Sequence, residues 1–313
     1  MQQKAISIYK LMAITYLKIK RWYLMLTGKS IWHVNQDIGK CFSTDSIKGY
    51  YNNMTEKVTK MPELLDNEGL PLLNTGNGDV EMPVAIFQYG LGAYDLYLQT
   101  GEKKYLKKFY QAVEWTVAHQ DEKGRWSTFF YIYPEHPYGA MAQGEGASLL
   151  LRAYTHSGHI KYLESSQKAI DFMLLSVDKG GTTIYDNNGV MFAEYTHLPI
   201  VMNGWIFAWW GLYDYVLATH DTGDYKDLLE RSCNTLVYFL PRFRASYWSK
   251  YDLGGMMASP FYHNLHIAQM QAMYELTSED VFSQYARRWE RQQKNPFCKS
   301  LAFVKKAAQK IAE

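Results

Sequence analysis

The sequence predicts an all-α-dominated fold, an α/α toroid of about four helical hairpins with a short β-ribbon in one joining loop. Three observations lead there. A helix, turn, aromatic, helix pattern recurs four times; its aromatic anchors Tyr105, Tyr162, Tyr225 and Phe282 are separated by about sixty residues; and irregular, aromatic-rich segments join one copy to the next. A helix pair cannot bury both faces alone, so such units stack, and a step longer than the usual solenoid period leaves room for long joining loops at one end.

Taken in order, the first hairpin runs through Gly90-Leu91-Gly92-Ala93-Tyr94 to Thr100-Gly101-Glu102, with Phe109, Val113 and Val117 at helical spacing in its second helix. The second passes from Leu149-Leu150-Leu151 through Ser157-Gly158-His159 to a helix carrying Ala169, Phe172 and Leu175. A third pairs Gly211-Leu212-Tyr213-Asp214 with Leu229, Cys233, Leu236 and Phe239 across Thr222-Gly223-Asp224, and the fourth pairs Gln269 to Tyr274 with the helix from Phe282. The Gly or Ser of each turn is expected to end the first helix, and the acidic or polar residue after it to cap the second. The joining segments are 122–143, 178–200 and 241–262. In the second of these, Asn187-Asn188-Gly189 between two β-prone runs predicts the ribbon. Residues 81–313 therefore form the toroid, 31–80 an irregular wrapping or lid segment, and 1–30 a basic amphipathic helix.

Composition narrows the function. With 33 Lys+Arg against 31 Asp+Glu, the net charge of +2 is too balanced for a protein that neutralises phosphates, which argues against nucleic acid. Twenty-six tyrosines among 313 residues suit surfaces that meet sugars, and equally a tyrosine-rich helical core. Cys41, Cys233 and Cys298 are odd in number and widely spaced, which excludes a disulfide scaffold or a cysteine zinc site. Residues 1–30 lack a secretory pattern, and their basic arc fits a membrane-surface helix as well as one packed on the next domain. The expected location is the cytoplasm, at the inner face of the membrane.

The joining loops hold the chemistry. Segment 125–138 gathers aromatics and runs into Met141-Ala142-Gln143-Gly144-Glu145-Gly146; no strand precedes that GxG, so a dinucleotide reading fails. Glu194 and Tyr195 stand adjacent after the ribbon. His263 and His266, three apart at a helix start, share a face, but no HExxH or third ligand accompanies them, and the 74–79 loop does not match a calcium loop. No metal and no cofactor is expected.

Four stretches now give a resemblance: Phe87-Gln88-Tyr89-Gly90-Leu91; Ala140-Met141-Ala142-Gln143-Gly144; Glu194-Tyr195 to Asn203-Gly204 with Gly211 to Asp214; and Tyr251-Asp252-Leu253 to Tyr262-His263-Asn264-Leu265-His266. Over residues 80–290 the chain resembles the carboxy-terminal helical domain of the D-glucuronyl C5-epimerases of heparan-sulfate and heparosan type. The resemblance implies inversion of C5 of D-glucuronate within a polysaccharide to L-iduronate. That chemistry removes a proton α to a carboxylate and returns one from the other face, so it needs two acid/base groups and neutralisation of the carboxylate. By the resemblance Tyr195, Tyr251, Tyr262 and Glu194 are catalytic, with their phenols activated by neighbouring cations or donors; Gln88, Gln143, Asn203, His263 and His266 bind hydroxyls and carboxylate. The animal enzymes carry an arginine after Tyr-Asp-Leu where this chain has Gly254-Gly255, so Lys250 or a histidine is expected to supply the cation. The rival readings are a uronate polysaccharide lyase, a glycoside hydrolase using Glu145 with Glu194 or Asp252, and a non-catalytic glycan-binding scaffold. Expected partners are a glucuronate-containing polysaccharide, lipid through residues 1–30, and a second copy of the chain.

Overall fold

The computed structural model of the protein describes residues 34–60, 65–74 and 78–312. The helix expected over residues 1–30 lies outside the described residues, as does the centre of the 74–79 loop. Ahead of the ring come a short helix, Thr55–Thr59, and a two-stranded antiparallel ribbon, β1 (Leu72–Asn74) and β2 (Asp79–Glu81). Four hairpins follow: α1 (Pro83–Thr100) with α2 (Lys103–Ala118), α3 (Ala140–Ser157) with α4 (Ile160–Leu174), α5 (Met202–Thr219) with α6 (Asp224–Phe239), and α7 (Pro260–Thr277) with α8 (Asp280–Lys294). A last helix, α9 (Pro296–Ala312), returns across the loop before α7. The expected ribbon forms as β3 (Thr183–Asp186) and β4 (Gly189–Phe192), paired from Thr183 opposite Phe192 to Asp186 opposite Gly189. The architecture is the α/α toroid.

Within the four hairpins the first helices, α1, α3, α5 and α7, form the inner ring and the second ones the outer wall, as their sequences dictate. α5 reads Met-Asn-Gly-Trp-Ile-Phe-Ala-Trp-Trp-Gly-Leu and buries every residue from Met202 to Leu212, whereas α6 buries only one stripe, Leu229, Ser232, Cys233, Thr235, Leu236 and Phe239. The inner helices α3 and α5 touch backbone to backbone. A Cβ on Gly144 would lie 2.6 Å from Ala208 Cα, and one on Gly211 would collide with Gly144.

The hairpin turns are built differently from the expectation. Gly101, Gly158 and Ser278 do end their helices in the left-handed region, but in the third hairpin His220 does so and Gly223 precedes α6. None of the outer helices α2, α4, α6 or α8 has a side-chain N-cap. The hydroxyl at the end of the preceding helix takes that role. Thr100, Ser157 and Thr277 each donate to the carbonyl four residues back, at 2.7–2.8 Å, and accept from the amide two residues on at 3.2 Å. One hydroxyl thus satisfies a group on each side of the turn.

Residues 34–59 pack against the inner helices. Tyr50, Tyr51 and Met54 are fully buried. The Tyr51 hydroxyl donates to Asp214 Oδ1 at 2.6 Å, and Arg152 donates to Asp214 Oδ2 at 2.6 Å and to the Gly49 carbonyl at 2.9 Å. At the other end of the segment the Asn264 amide on α7 donates to Asn35 Oδ1 at 3.0 Å. A buried Arg–Asp pair with most of its groups bonded is the form in which charge is tolerated in a core, and here Arg152 Nε alone of the guanidinium nitrogens lacks a partner.

Candidate active site

The inner helices present their first turns to one cavity of about 250 Å³. Met82, Val84 and Ala85 come from the start of α1, Gly139, Met141 and Ala142 from α3, Asn203 from α5, and Phe261 and Tyr262 from α7. Four helix N-termini therefore face the same space, with amides that lack intrahelical partners and the positive ends of their dipoles inward, an arrangement suited to an anionic ligand.

Glu194 reaches this cavity because its segment is fixed on both sides. Ala140 N donates to Ala193 O at 2.9 Å, and Glu194 is wedged between Gly139 and Gly204, either of which would collide with it if it carried a side chain. Glu194 is buried and its Oε2 has no hydrogen-bond partner in the protein. Burial pushes its carboxyl up to about 7, against a hydrogen bond with Tyr195 that pulls the other way. The Tyr195 ring stacks on cavity-lining Phe129 at 4.4 Å, so adjacent residues send one side chain inward and the other along the wall.

Tyr262 lies in the first turn of α7 and lines the cavity. Tyr251 is carried beside it by a short extended pairing, in which Met202 N donates to Tyr251 O at 3.1 Å and Leu253 N to Ile200 O at 2.9 Å. The two rings are 4.8 Å apart, and the Tyr251 hydroxyl is hydrogen-bonded to Tyr262. Burial first, and the Glu194 charge second, hold the phenols of Tyr195 and Tyr251 well above their ordinary value, so both are proton donors in the free protein.

Gln88 lines the cavity, and its amide donates to both oxygens of Glu145 at 3.0 and 3.3 Å. Glu145 is fully buried beneath it, and burial pushes its carboxyl up to about 8, opposed by the Gln88 hydrogen bond and the Lys57 charge. Asn203 also lines the cavity, with Oδ1 buried and lacking a protein partner. Four of the ten residues marked in the sequence, Glu194, Tyr262, Gln88 and Asn203, thus share the cavity wall, with Tyr195 and Tyr251 packed directly behind.

The other four are placed elsewhere. Gln143 is buried and donates to Trp126 O at 3.3 Å. His263 and His266 do share a face, and both Nδ1 atoms meet the Ser249 hydroxyl, at 2.8 and 2.9 Å. They are fully buried, His263 is stacked on Trp248 at 3.5 Å, and burial drives His263 down to about 3 and His266 further from its ordinary value. Both imidazoles are neutral. Lys250 sits on the joining segment away from the cavity lining.

The cation at the cavity is instead Lys57, from the short helix in the 34–59 segment. Burial lowers its ammonium pKa, and the Glu145 charge raises it. Thr128, Phe129 and Gln36 complete the lining, and Phe130, Tyr131 and Ile132 stand exposed next to Phe129. Among the described residues no three His, Cys, Asp or Glu side chains gather as a metal site.

Comparison with known proteins bears on this arrangement. A family model described as the D-glucuronyl C5-epimerase C-terminus matches residues 120–291. A D-glucuronyl C5-epimerase of Caenorhabditis elegans is 27% identical over 209 residues, 58% of this chain and 34% of that protein. An uncharacterized protein of Methanocaldococcus jannaschii is 31% identical over 157 residues, 48% of this chain and 51% of that protein. The chain spans between a third and a half of the length of these relatives. Among solved structures, a cellobiose 2-epimerase from Spirochaeta thermophila matches with a TM-score of 0.51 at 11% identity, over 83% of this chain and 77% of that one, a likeness of fold.

Proposed function

The chain belongs to the D-glucuronyl C5-epimerase C-terminus family, and from that premise we propose that it is a carbohydrate epimerase that inverts C5 of a glucuronate residue within a polysaccharide. The observation that carries this reading is a carboxyl near neutrality, Glu194, and a phenol, Tyr262, on the wall of one cavity that also holds the Lys57 cation.

In the reaction the C5–H bond breaks, its proton passes to the Glu194 carboxylate, and the electron pair delocalises onto the uronate carboxylate. Lys57 and the inward-facing helix N-termini stabilise that developing charge. Tyr262 then gives its hydroxyl proton to C5 from the other face, and Tyr251, hydrogen-bonded to Tyr262, supports the resulting phenolate. Tyr195, next to Glu194 in the chain and stacked on Phe129, anchors the Glu194 segment at the cavity wall. Gln88 and Asn203 offer polar groups to sugar hydroxyls, and the aromatic stretch from Phe129 to Tyr131 offers ring faces to neighbouring sugars. The hydrolase reading is weakened because Glu145 lies under Gln88 and not on the cavity wall.

The test is incubation with desulfated or N-acetylated heparosan-type polymer in heavy water, reading C5 by NMR. Deuterium at C5 with appearance of iduronate supports the epimerase. An ultraviolet-absorbing unsaturated product would replace it with the lyase, and new reducing ends without exchange with the hydrolase.

A further inference from the structure

The outer face of α8 and α9 carries a second chemistry, on residues that do not line the cavity. On α9, Phe297, Leu301 and Val304 are 74%, 39% and 63% exposed, and Ala308 is exposed beside them. At about 100° per residue all four fall within roughly 60° of the helix circumference. The opposite side of α9 is the one that packs: Ala302 is buried, and Gln309 donates to Gly255 O and accepts from Met257 N at 3.0 and 2.9 Å. The helix is therefore apolar on the face it turns away from the protein, with Lys305 exposed at one margin of the stripe.

Next to this stripe, where α8 meets α9, lies an open groove of about 700 Å³ lined by Arg287, Arg288, Arg291, Asn295 and Cys298. Arg287 and Arg291 are exposed, and none of the three arginines takes part in an ion pair among the described residues. The neighbouring acid, Glu290, accepts instead from Gln271 at 2.6 Å. Unpaired guanidinium groups seek phosphate or carboxylate. A single exposed apolar residue needs no explanation, but an ordered stripe beside a basic groove does.

We propose that the α8–α9 face docks on an anionic lipid surface, the α9 stripe entering the headgroup–acyl boundary and the arginine groove taking lipid phosphates. An acidic polysaccharide would use the arginines and leave the stripe exposed to water; an anionic bilayer uses both. No helix among the described residues is long and apolar enough to cross a membrane, so the contact is peripheral. The proposal is independent of the activity proposed above.

The test is co-flotation of the full chain with phosphatidylcholine vesicles, with and without roughly a quarter phosphatidylglycerol. The wild type is expected to float only with the anionic vesicles and to be released by high salt. Phe297→Glu/Val304→Glu and, separately, Arg287→Ala/Arg291→Ala are expected to lower partitioning by about tenfold or more, with circular dichroism and C5 exchange on soluble polymer unchanged. Flotation that survives both variants would place the lipid contact elsewhere and overturn the proposal. So would an absence of flotation accompanied by a shift from dimer to monomer in the stripe variant, or by lost retention on immobilised acidic polysaccharide in the arginine variant.

Discussion

Gln88 and Glu145, on adjacent inner helices, meet through a forked hydrogen bond of 3.0 and 3.3 Å directly under the cavity floor. The bond fixes which way the Gln88 amide points, so its oxygen is the atom left for a ligand. It also ties the cavity to a buried carboxyl that releases its proton only near pH 8.

That carboxyl makes stability depend on pH in a defined window. Below about pH 4.5 Glu145 is protonated in both folded and unfolded chains. As pH rises to about 8 the unfolded chain releases the proton while the folded one keeps it, so the folded state loses stability across that interval and the cost is constant above it. Glu145→Gln, which preserves an acceptor for Gln88, is expected to melt like wild type at pH 4 and to be more stable by on the order of 3 to 5 kcal/mol at pH 9. Calorimetry at the two pH values checks it; an equal difference at both would refute the assignment.

Removing the proton donor on the cavity wall should strike turnover and spare binding. Tyr262→Phe is expected to lower kcat by roughly 10² to 10⁴ with little change in KM. Tyr251→Phe, one hydrogen bond away, is expected to cost about tenfold, the scale of one net hydrogen bond. Rates of C5 deuterium exchange measure both; equal losses would show that Tyr251 itself handles the proton.

Lys57 is expected to bind the uronate carboxylate. Lys57→Met should raise KM for a glucuronate polymer by about 10 to 100-fold, the value of a hydrogen bond to a charged group, and Lys57→Arg should restore part of it. A neutral glucan should show no such dependence. Steady-state kinetics at low ionic strength gives the answer, and an unchanged KM in Lys57→Met would sink the role.

Catalysis should also switch on as Glu194 ionises. Burial has moved its carboxyl to about 7, so kcat/KM is expected to rise tenfold per pH unit below that value and flatten above it. In Glu194→Gln the rise should vanish together with most of the activity. A pH–rate profile rising near 4.5 instead would mean that Glu194 is not the base.

The ring's tightest contact should tolerate no added atom. Gly211→Ala would force α3 and α5 apart at Gly144 and is expected to destabilise by about 1 to 3 kcal/mol, the usual cost of overpacking. Urea denaturation reads it directly; an unchanged midpoint would mean that the helices shift at no cost.

Much of this was legible because it is periodic. The four hairpins announced themselves through Tyr105, Tyr162, Tyr225 and Phe282, and the ribbon through Asn187-Asn188-Gly189, since both signals are local in the chain. The pairing of His263 with His266 followed from spacing, but that both close on Ser249 beneath Trp248 depends on a loop whose path no local rule sets. Lys57 escaped notice because its segment has no repeat to align with; the one local hint is Asn53, which accepts from the Thr55 amide and starts the short helix. The protonation of the phenols was not legible for a related reason. Their proton affinity is governed by how much water the fold removes and by the Glu194 charge, neither of which is a property of a tyrosine's neighbours in sequence.

Tyr51 and Asp214, joined at 2.6 Å, are 163 residues apart in the chain. The early segment that carries Lys57 can pack at once on α1, where Tyr50 N donates to Asp95 Oδ1 at 2.9 Å, but its Tyr51–Asp214 bond cannot close until α5 has been synthesised. Loop-closure entropy makes such a contact a late event in folding. A chain stopped before α5 would therefore hold its lysine against the first helix with neither the Asp214 acceptor nor the α5 wall that faces it.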